Sequence, residues 1–251
     1  MNQPFHRVLG VLAKQPLPGL VKTRLAAETS PQWAARVAAA FLTDSLDRLA
    51  GIDAHRILVY APREAEEFFS GLARGRFTLM PQAEGDLGQR MAAFFFGAGV
   101  PKLEFGNETN FRNEARGSAI KAVLVGLDSP TLPLSYIEEA FAKLERADII
   151  LGPATDGGYY LVGCSVGRIS NPSHHLPPIF ENVRWGEPTV LQDTISRLQK
   201  TQWRLELLPP WYDVDTLNDW QMLCGHLAAL RRAGVDPGLP CTEKLCLEFS
   251  S

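Results

Sequence analysis

Short apolar runs alternate with helical patterns along this chain of 251 residues. The runs at 7–13, 55–61, 122–126 and 148–152 are nearly continuously apolar and rich in β-branched residues. Strands that are buried on both faces of a parallel sheet have this character. A further strand is predicted over 203–208, and the turn that follows 148–152 leads into another.

The helical patterns between these runs begin at recognisable residues. Ser30 precedes a proline and is predicted to cap one helix. Ser135 stands three residues before a glutamate, the spacing of a capping box. Pro188 is predicted to open a third helix, and Thr216 to cap a last one that ends near Gly234. The alternation predicts a doubly wound, right-handed α/β sheet.

The chain shows no internal repeat and no linker, so one domain over 1–251 is predicted. Residues 101–118 are polar and lack an apolar period, which predicts an exposed insertion. Residues 166–178 form a second irregular segment that contains His174 and His175. We interpret these histidines as structural or incidental.

Composition restricts the partners and the location. The net charge of -3 and the lack of a long basic block argue against nucleic acid as a partner. No apolar run approaches the ~20 residues of a membrane span, and the first residues lack the features of a signal peptide. The cysteines lack paired or zinc-finger spacing, which favours free thiols in a reducing compartment; they are Cys164, Cys224, Cys241 and Cys246. A cytoplasmic location is therefore predicted.

Candidate chemistry follows the predicted strands, because ligands of open α/β sheets bind beyond the carboxyl ends of the strands. The loop after the first strand carries Lys14, Lys22 and Arg24 among prolines and a glycine. Such a loop can bind a di- or triphosphate, with the arginine as a fork and the lysines as point charges. A solvated basic loop is the alternative interpretation.

Carboxylates follow two other strands. Asp128 comes directly after the run at 122–126, and Asp213 and Asp215 come after the run at 203–208. These side chains have the chemistry to hold Mg²⁺ or Mn²⁺, which prefer oxygen ligands and usually bridge to phosphate. Ordinary turn chemistry around Asp128 and helix capping by Thr216 are the alternatives.

Two further segments can contribute to nucleotide binding. Asp156, Gly157 and Gly158 form a tight turn whose glycines let a ligand approach the backbone, although a plain hairpin explains them equally well. Asp86 is predicted to cap a helix, and Arg90 in the first turn of that helix is a candidate for binding a phosphate.

These segments occur in the order 14–25, 85–90, 126–133, 152–161 and 213–216. In that order they resemble bacterial glycosyltransferase-A-like transferases, namely the radical-SAM/selenodomain-associated transferase 1 family. That family is similar to phospholactate guanylyltransferases and molybdenum-cofactor nucleotidyltransferases. The resemblance extends from about residue 7 to residue 234.

The resemblance implies the nucleotide-diphospho-sugar transferase fold, a three-layer α/β/α arrangement with a mostly parallel central sheet. It implies a divalent metal near Asp128, assisted by Asp213 or Asp215, and phosphates near Lys22 and Arg24. Asp128, Lys22 and Arg24 are then the expected catalytic residues. The expected nucleotide-binding residues are Lys14, Lys22, Arg24, Arg90, Asp156, Gly157 and Gly158.

Three functions are compatible with these residues. The first is nucleotidyl transfer from a nucleoside triphosphate to a small acceptor, with loss of pyrophosphate. The second is glycosyl transfer from a nucleotide sugar, and the third is nucleotide binding without catalysis. The acceptor, the preferred base and the oligomeric state are left open by the sequence.

Overall fold

A computed structural model of the protein describes residues 6–99, 120–166 and 176–249. The predicted insertion at 101–118 and both His174 and His175 lie outside the described residues. Within those ranges the strands are β1 (Arg7–Lys14), β2 (His55–Ala61), β3 (Thr78–Pro81), β4 (Ile120–Val125), β5 (Ile149–Pro153), β6 (Tyr159–Val166) and β7 (Leu205–Leu207).

The helices of the same ranges include four in the first half of the chain. They are α1 (Thr23–Glu28), α2 (Pro31–Leu49), α3 (Glu66–Ala73) and α4 (Leu87–Gly99). The later helices are α5 (Leu134–Lys143), α6 (Val190–Leu198), α7 (Leu217–Arg232) and α8 (Pro240–Phe249).

The strands form one sheet in the order β3-β2-β1-β4-β6-β5-β7. β1 pairs in parallel with β2 and β4, β2 with β3, and β5 with β7. Only β6 among these strands runs antiparallel to its neighbours, β4 and β5. The prediction of a mostly parallel central sheet is confirmed.

Helices cover both faces of the sheet, which confirms the three-layer α/β/α architecture. Leu9 and Val11 of β1 belong to a core that includes Leu46 of α2 and Phe141 of α5. Val8, on the opposite face, belongs to a second core with α4 and α6. Because successive side chains of a strand point to opposite faces, each central strand contributes to both cores.

The predicted helix starts are partly right. Ser30 caps α2, accepting a hydrogen bond from the Trp33 amide at 3.1 Å. Thr216 and Asp219 form a capping box at the start of α7. The prediction for Ser135 is wrong, because α5 begins one residue earlier and has no side-chain cap. α6 begins two residues after Pro188, the predicted first position.

A third core lies among α1, α2, α7 and α8, around the fully buried Trp220. Buried Asp44 of α2 caps α8, accepting hydrogen bonds from the Thr242 amide at 2.8 Å and the Thr242 hydroxyl at 2.7 Å. Cys224 and Cys246 form a disulfide between α7 and α8. The free-thiol prediction is wrong for this pair, because the packing of the two helices joins cysteines that are 22 residues apart.

In the described ranges, no helix has both the length and the apolar character needed to cross a membrane. The cytoplasmic location stays a prediction.

Candidate active site

One pocket of about 560 Å³ opens beyond the carboxyl ends of β1 and β4. Its size falls within the range of small-molecule sites. Nine of the ten predicted site residues line it: Lys14, Lys22, Arg24, Arg90, Asp128, Asp156, Gly158, Asp213 and Asp215. The adjacent, parallel placement of β1 and β4 explains why residues more than 100 positions apart share one pocket.

Lys22 occupies the centre of the charged side chains. Its ammonium donates hydrogen bonds to Asp128, to the carbonyl of Val214 at 2.7 Å and to Asp215 at 3.4 Å. Its side chain is 4% exposed and lies over the ring of Phe41 at 5.0 Å. Burial alone lowers the pKa of Lys22, but the charges and hydrogen bonds of the two carboxylates leave that pKa above its ordinary value.

The backbone of Lys22 is also unusual. Its φ is 43°, in the left-handed region that non-glycine residues seldom adopt, and it stands directly before α1. Backbone strain of this kind clusters at functional sites. The sequence identified Lys22 as a cation of the pocket, but nothing in it indicated that the ammonium contacts carboxylates instead of open space.

Asp213 is the most strongly perturbed carboxylate of the pocket. Burial raises its pKa to about 7, a hydrogen bond from the Ser129 hydroxyl opposes this rise, and the charges of Asp128, Asp156 and Asp215 add to it. Burial and the charge of Asp128 likewise raise the pKa of Asp215, although Lys22 and Arg24 oppose them. The pocket therefore concentrates negative charge that its cations only partly neutralise.

The segment that carries Asp128 is hydrogen-bonded to the segment that carries the other two aspartates. The amide of Val214 donates to the carbonyl of Asp128 at 2.9 Å. Farther from the pocket, the Thr131 hydroxyl donates to the Tyr212 hydroxyl at 2.7 Å, which also lies 2.7 Å from His226 Nδ1. These bonds fix the carboxylates relative to one another, as a preorganised site requires.

The remaining predicted cations lie around this centre. Lys14 donates to the carbonyl of Leu20 at 2.8 Å, which closes the loop between them. Arg90 uses its Nε to bind the carbonyl of Gly85 at 2.9 Å, and it lines the pocket. Arg24 is exposed there. Asp86 and Gln89 form a capping box at the start of α4, which confirms the predicted cap.

The glycine turn has a structural role at one of its positions. Gly157 does not line the pocket; its φ is 95°, and a Cβ there would meet the Pro188 carbonyl oxygen at 2.0 Å. Its own carbonyl accepts from the amide of Leu191 at 2.9 Å, which fixes the start of α6. Gly158 donates its amide to Asp156 at 2.8 Å and does line the pocket. The hairpin interpretation therefore accounts for Gly157.

The predicted metal site, Asp128 assisted by Asp213 or Asp215, stays a prediction. No group of three or more metal-ligating side chains in the described part of the chain is arranged to hold an ion, and Asp213 is hydrogen-bonded to Ser129. Asp128 and Asp215 do converge on one point, which the Lys22 ammonium occupies. Mg²⁺ is usually held by one or two carboxylates with waters and substrate phosphates. These two carboxylates therefore fit such an ion.

Gln82 and Trp185 are among the pocket residues that the sequence analysis did not identify. Gln82 follows β3 and donates from its amide to the carbonyls of Ala13 at 2.9 Å and Val59 at 3.0 Å. Trp185 packs on Gly88, where a Cβ would meet the indole Nε1 at 2.7 Å. Both line the pocket, but neither stands at a predicted strand end.

With the geometry established, comparisons with known proteins identify the family. Residues 46–187, more than half of the chain, match the family described as "Uncharacterized protein conserved in bacteria (DUF2064)". The chain belongs to the DUF2064 family. No protein among those with curated functions matches its sequence.

Solved structures share the architecture of this DUF2064 protein. A candidate nucleotide-diphospho-sugar transferase from Desulfovibrio desulfuricans G20 is 28% identical, with a TM-score of 0.76 over 97% of this chain and 98% of its own. A cytidylyltransferase from Leptospira borgpetersenii serovar Hardjo-bovis (strain JB197) is 11% identical, with a TM-score of 0.50 over 98% of this chain and 95% of its own. The protein thus has the nucleotide-diphospho-sugar transferase fold that its motifs imply.

Proposed function

We propose that this DUF2064 protein is a metal-dependent nucleotidyltransferase that acts on a nucleoside triphosphate and a small acceptor. The observation that carries the proposal is one pocket lined both by Lys14, Arg24 and Arg90 and by the carboxylates of Asp128 and Asp215. Cations suit a triphosphate, and the carboxylates suit a divalent ion bound to that triphosphate. The fold shared with a candidate nucleotide-diphospho-sugar transferase supports a nucleotide-containing substrate, which both this reaction and the second candidate below require.

In the reaction, an acceptor oxygen attacks the α-phosphorus of the triphosphate and the bond to the bridging oxygen breaks. Pyrophosphate leaves with the electron pair of that bond, and a hydroxyl acceptor releases its proton to water. Lys14, Arg24 and Arg90 hold the phosphates and neutralise their charge, so the contribution of the protein is mainly positioning and electrostatics. Asp128 and Asp215 would hold Mg²⁺ or Mn²⁺, which supplies further charge neutralisation at the phosphates.

The ordered motifs also support membership in the radical-SAM/selenodomain-associated transferase 1 group that they resemble. Glycosyl transfer from a nucleotide sugar is the second candidate. It is favoured by the 28% identical structure, because that protein is a candidate nucleotide-diphospho-sugar transferase. The same cations and carboxylates would bind a diphosphate, so the two reactions differ in the leaving group.

The products released therefore test the proposal. The protein is incubated with Mg²⁺, each nucleoside triphosphate or nucleotide sugar, and a panel of phosphorylated and hydroxyl acceptors. Nucleotidyl transfer releases pyrophosphate, which Asp128→Asn should abolish while Glu67→Gln, an exposed residue of α3, leaves the release unchanged. Release of nucleoside diphosphate instead would establish glycosyl transfer. Nucleotide binding without either product across the panel would contradict both reactions and support a non-catalytic protein.

A further inference from the structure

The Lys22 ammonium stands at the point where Asp128 and Asp215 converge. It contacts an oxygen of each carboxylate and the carbonyl of Val214, and its side chain is nearly inaccessible to solvent. The ring of Phe41 lies against the same ammonium at 5.0 Å. One cation of the chain itself therefore fills the position that a metal ligated by these carboxylates would need.

A divalent ion cannot share that position with the ammonium. Oxygen ligands of Mg²⁺ lie about 2.0–2.1 Å from the ion, so an ion bound to these oxygens would lie within contact distance of the ammonium nitrogen. Two cations so close repel each other strongly in a partly buried site. The ammonium must leave before the ion binds.

The pocket offers the displaced ammonium another set of partners. Lys22 lines the same cavity as Lys14 and Arg24, which are suited to bind phosphates. Its side chain has a flexible four-carbon stem, so the nitrogen can move without movement of α1. A bound triphosphate would supply the negative charge that the ammonium loses on leaving the carboxylates.

We propose that Lys22 is a resident cation that closes the metal position and is exchanged for the divalent ion when the nucleotide binds. This exchange rests on the proposed function and links the binding of the metal to the binding of the nucleotide. The protein alone binds the ion weakly, and nucleotide makes binding strong because its phosphates accept the released ammonium. The metal and the nucleotide therefore enter as coupled ligands.

The test is Mn²⁺ binding measured by electron paramagnetic resonance, without turnover. Lys22→Met removes the charge and keeps an unbranched side chain, and we expect it to bind Mn²⁺ without nucleotide roughly tenfold or more tightly than the wild type. Lys14→Met is the matched control. It removes one positive charge from the same pocket, but the Lys14 ammonium is hydrogen-bonded to the carbonyl of Leu20 and not to the two carboxylates. Without nucleotide, the Mn²⁺ affinity of Lys14→Met should stay within about twofold of that of the wild type, since the Lys14 charge lies outside the metal position.

A second measurement uses the unaltered protein, in case Lys22→Met does not fold. A lysine-selective reagent followed by peptide mass spectrometry should leave Lys22 unmodified without metal. Saturating Mn²⁺ should increase its modification, while the modification of Lys14 stays constant.

The outcomes separate this inference from the proposed function. Suppose that the wild type binds Mn²⁺ in the presence of nucleotide. The exchange is then wrong if, without nucleotide, Lys22→Met binds Mn²⁺ no more tightly than the wild type does. It is also wrong if Lys22 stays protected while Mn²⁺ is bound. If neither wild type nor variant binds Mn²⁺, with or without nucleotide, both the exchange and the metal dependence of the proposed function are wrong.

Discussion

Replacing Asp213 by asparagine is expected to stabilise the metal-free protein above neutral pH and to leave it nearly unchanged in acid. In the folded protein burial raises the pKa of Asp213 from 3.8 to about 7, and the neighbouring carboxylates add to that effect. The folded state therefore binds the Asp213 proton more tightly than the unfolded state. The stability that this proton contributes is complete below about pH 4 and is lost as the pH rises through about 7.

A pKa that rises from 3.8 to about 7 corresponds to about 4 kcal/mol, because a tenfold change in proton affinity is worth about 1.4 kcal/mol. Asparagine has the same shape and carries no charge at any of these pH values. The variant should therefore match the wild type near pH 4 and exceed its free energy of unfolding by up to about 4 kcal/mol at pH 8 and above.

The assay is urea denaturation of both proteins in EDTA at intervals between pH 4 and pH 9. Asp53→Asn is the matched control, because Asp53 is exposed and does not line the pocket. Its difference from the wild type is the baseline for an aspartate-to-asparagine change outside the pocket. A constant difference between Asp213→Asn and the wild type across this range would refute the reasoning, because it would show that Asp213 does not titrate differently in the folded protein.

Four further substitutions test the packing around the pocket and the outer helices. Gly186→Ala, at φ 85° in open space, should lower the free energy of unfolding by about 1–2 kcal/mol. Gly157→Ala, at φ 95° against a backbone oxygen, should lower it by roughly 3 kcal/mol or more, and equal losses in urea denaturation would contradict the contact. Cys224→Ser should lower the free energy of unfolding by about 3 kcal/mol, because it removes a cross-link from the unfolded chain. Alkylation of both Cys224 and Cys246 in the native, unreduced protein would show that no disulfide exists. Tyr212→Phe should lower the free energy of unfolding by about 1–2 kcal/mol, because it removes the hydroxyl that is hydrogen-bonded to Thr131 and His226. An unchanged melting temperature would contradict a stabilising role for these hydrogen bonds.

Most of the fold could be predicted because its central strands are nearly continuously apolar and are separated by amphipathic helices. β3 was missed because it has four residues, none of them fully buried, and ends at Pro81. The capping box at Ser135 was wrongly predicted for a different reason. Capping-box spacing is a local signal, and α5 begins after a proline that already has the extended backbone of a cap position.

Much of the site could also be predicted, since its residues follow strands whose carboxyl ends meet at one edge of the sheet. What the sequence could not show is which side chains contact each other there. Lys22 contacts carboxylates that are 106 and 193 positions away in the chain. Tertiary packing brings them together, and no local spacing encodes that contact. The disulfide between α7 and α8 escaped prediction for the same reason.

The most direct test of the central claim is a calorimetric titration of the folded protein with nucleoside triphosphates and nucleotide sugars, in Mg²⁺ and then in EDTA. The pocket predicts binding that requires Mg²⁺ and that weakens by roughly 10- to 100-fold in Arg24→Ala, the loss expected when a charged hydrogen bond is removed. Asp128→Asn should bind in Mg²⁺ as weakly as the wild type binds in EDTA, because it lacks one ligand of the ion. The absence of binding by every one of these ligands, in protein shown to be folded, would contradict the assignment of this pocket to a nucleotide.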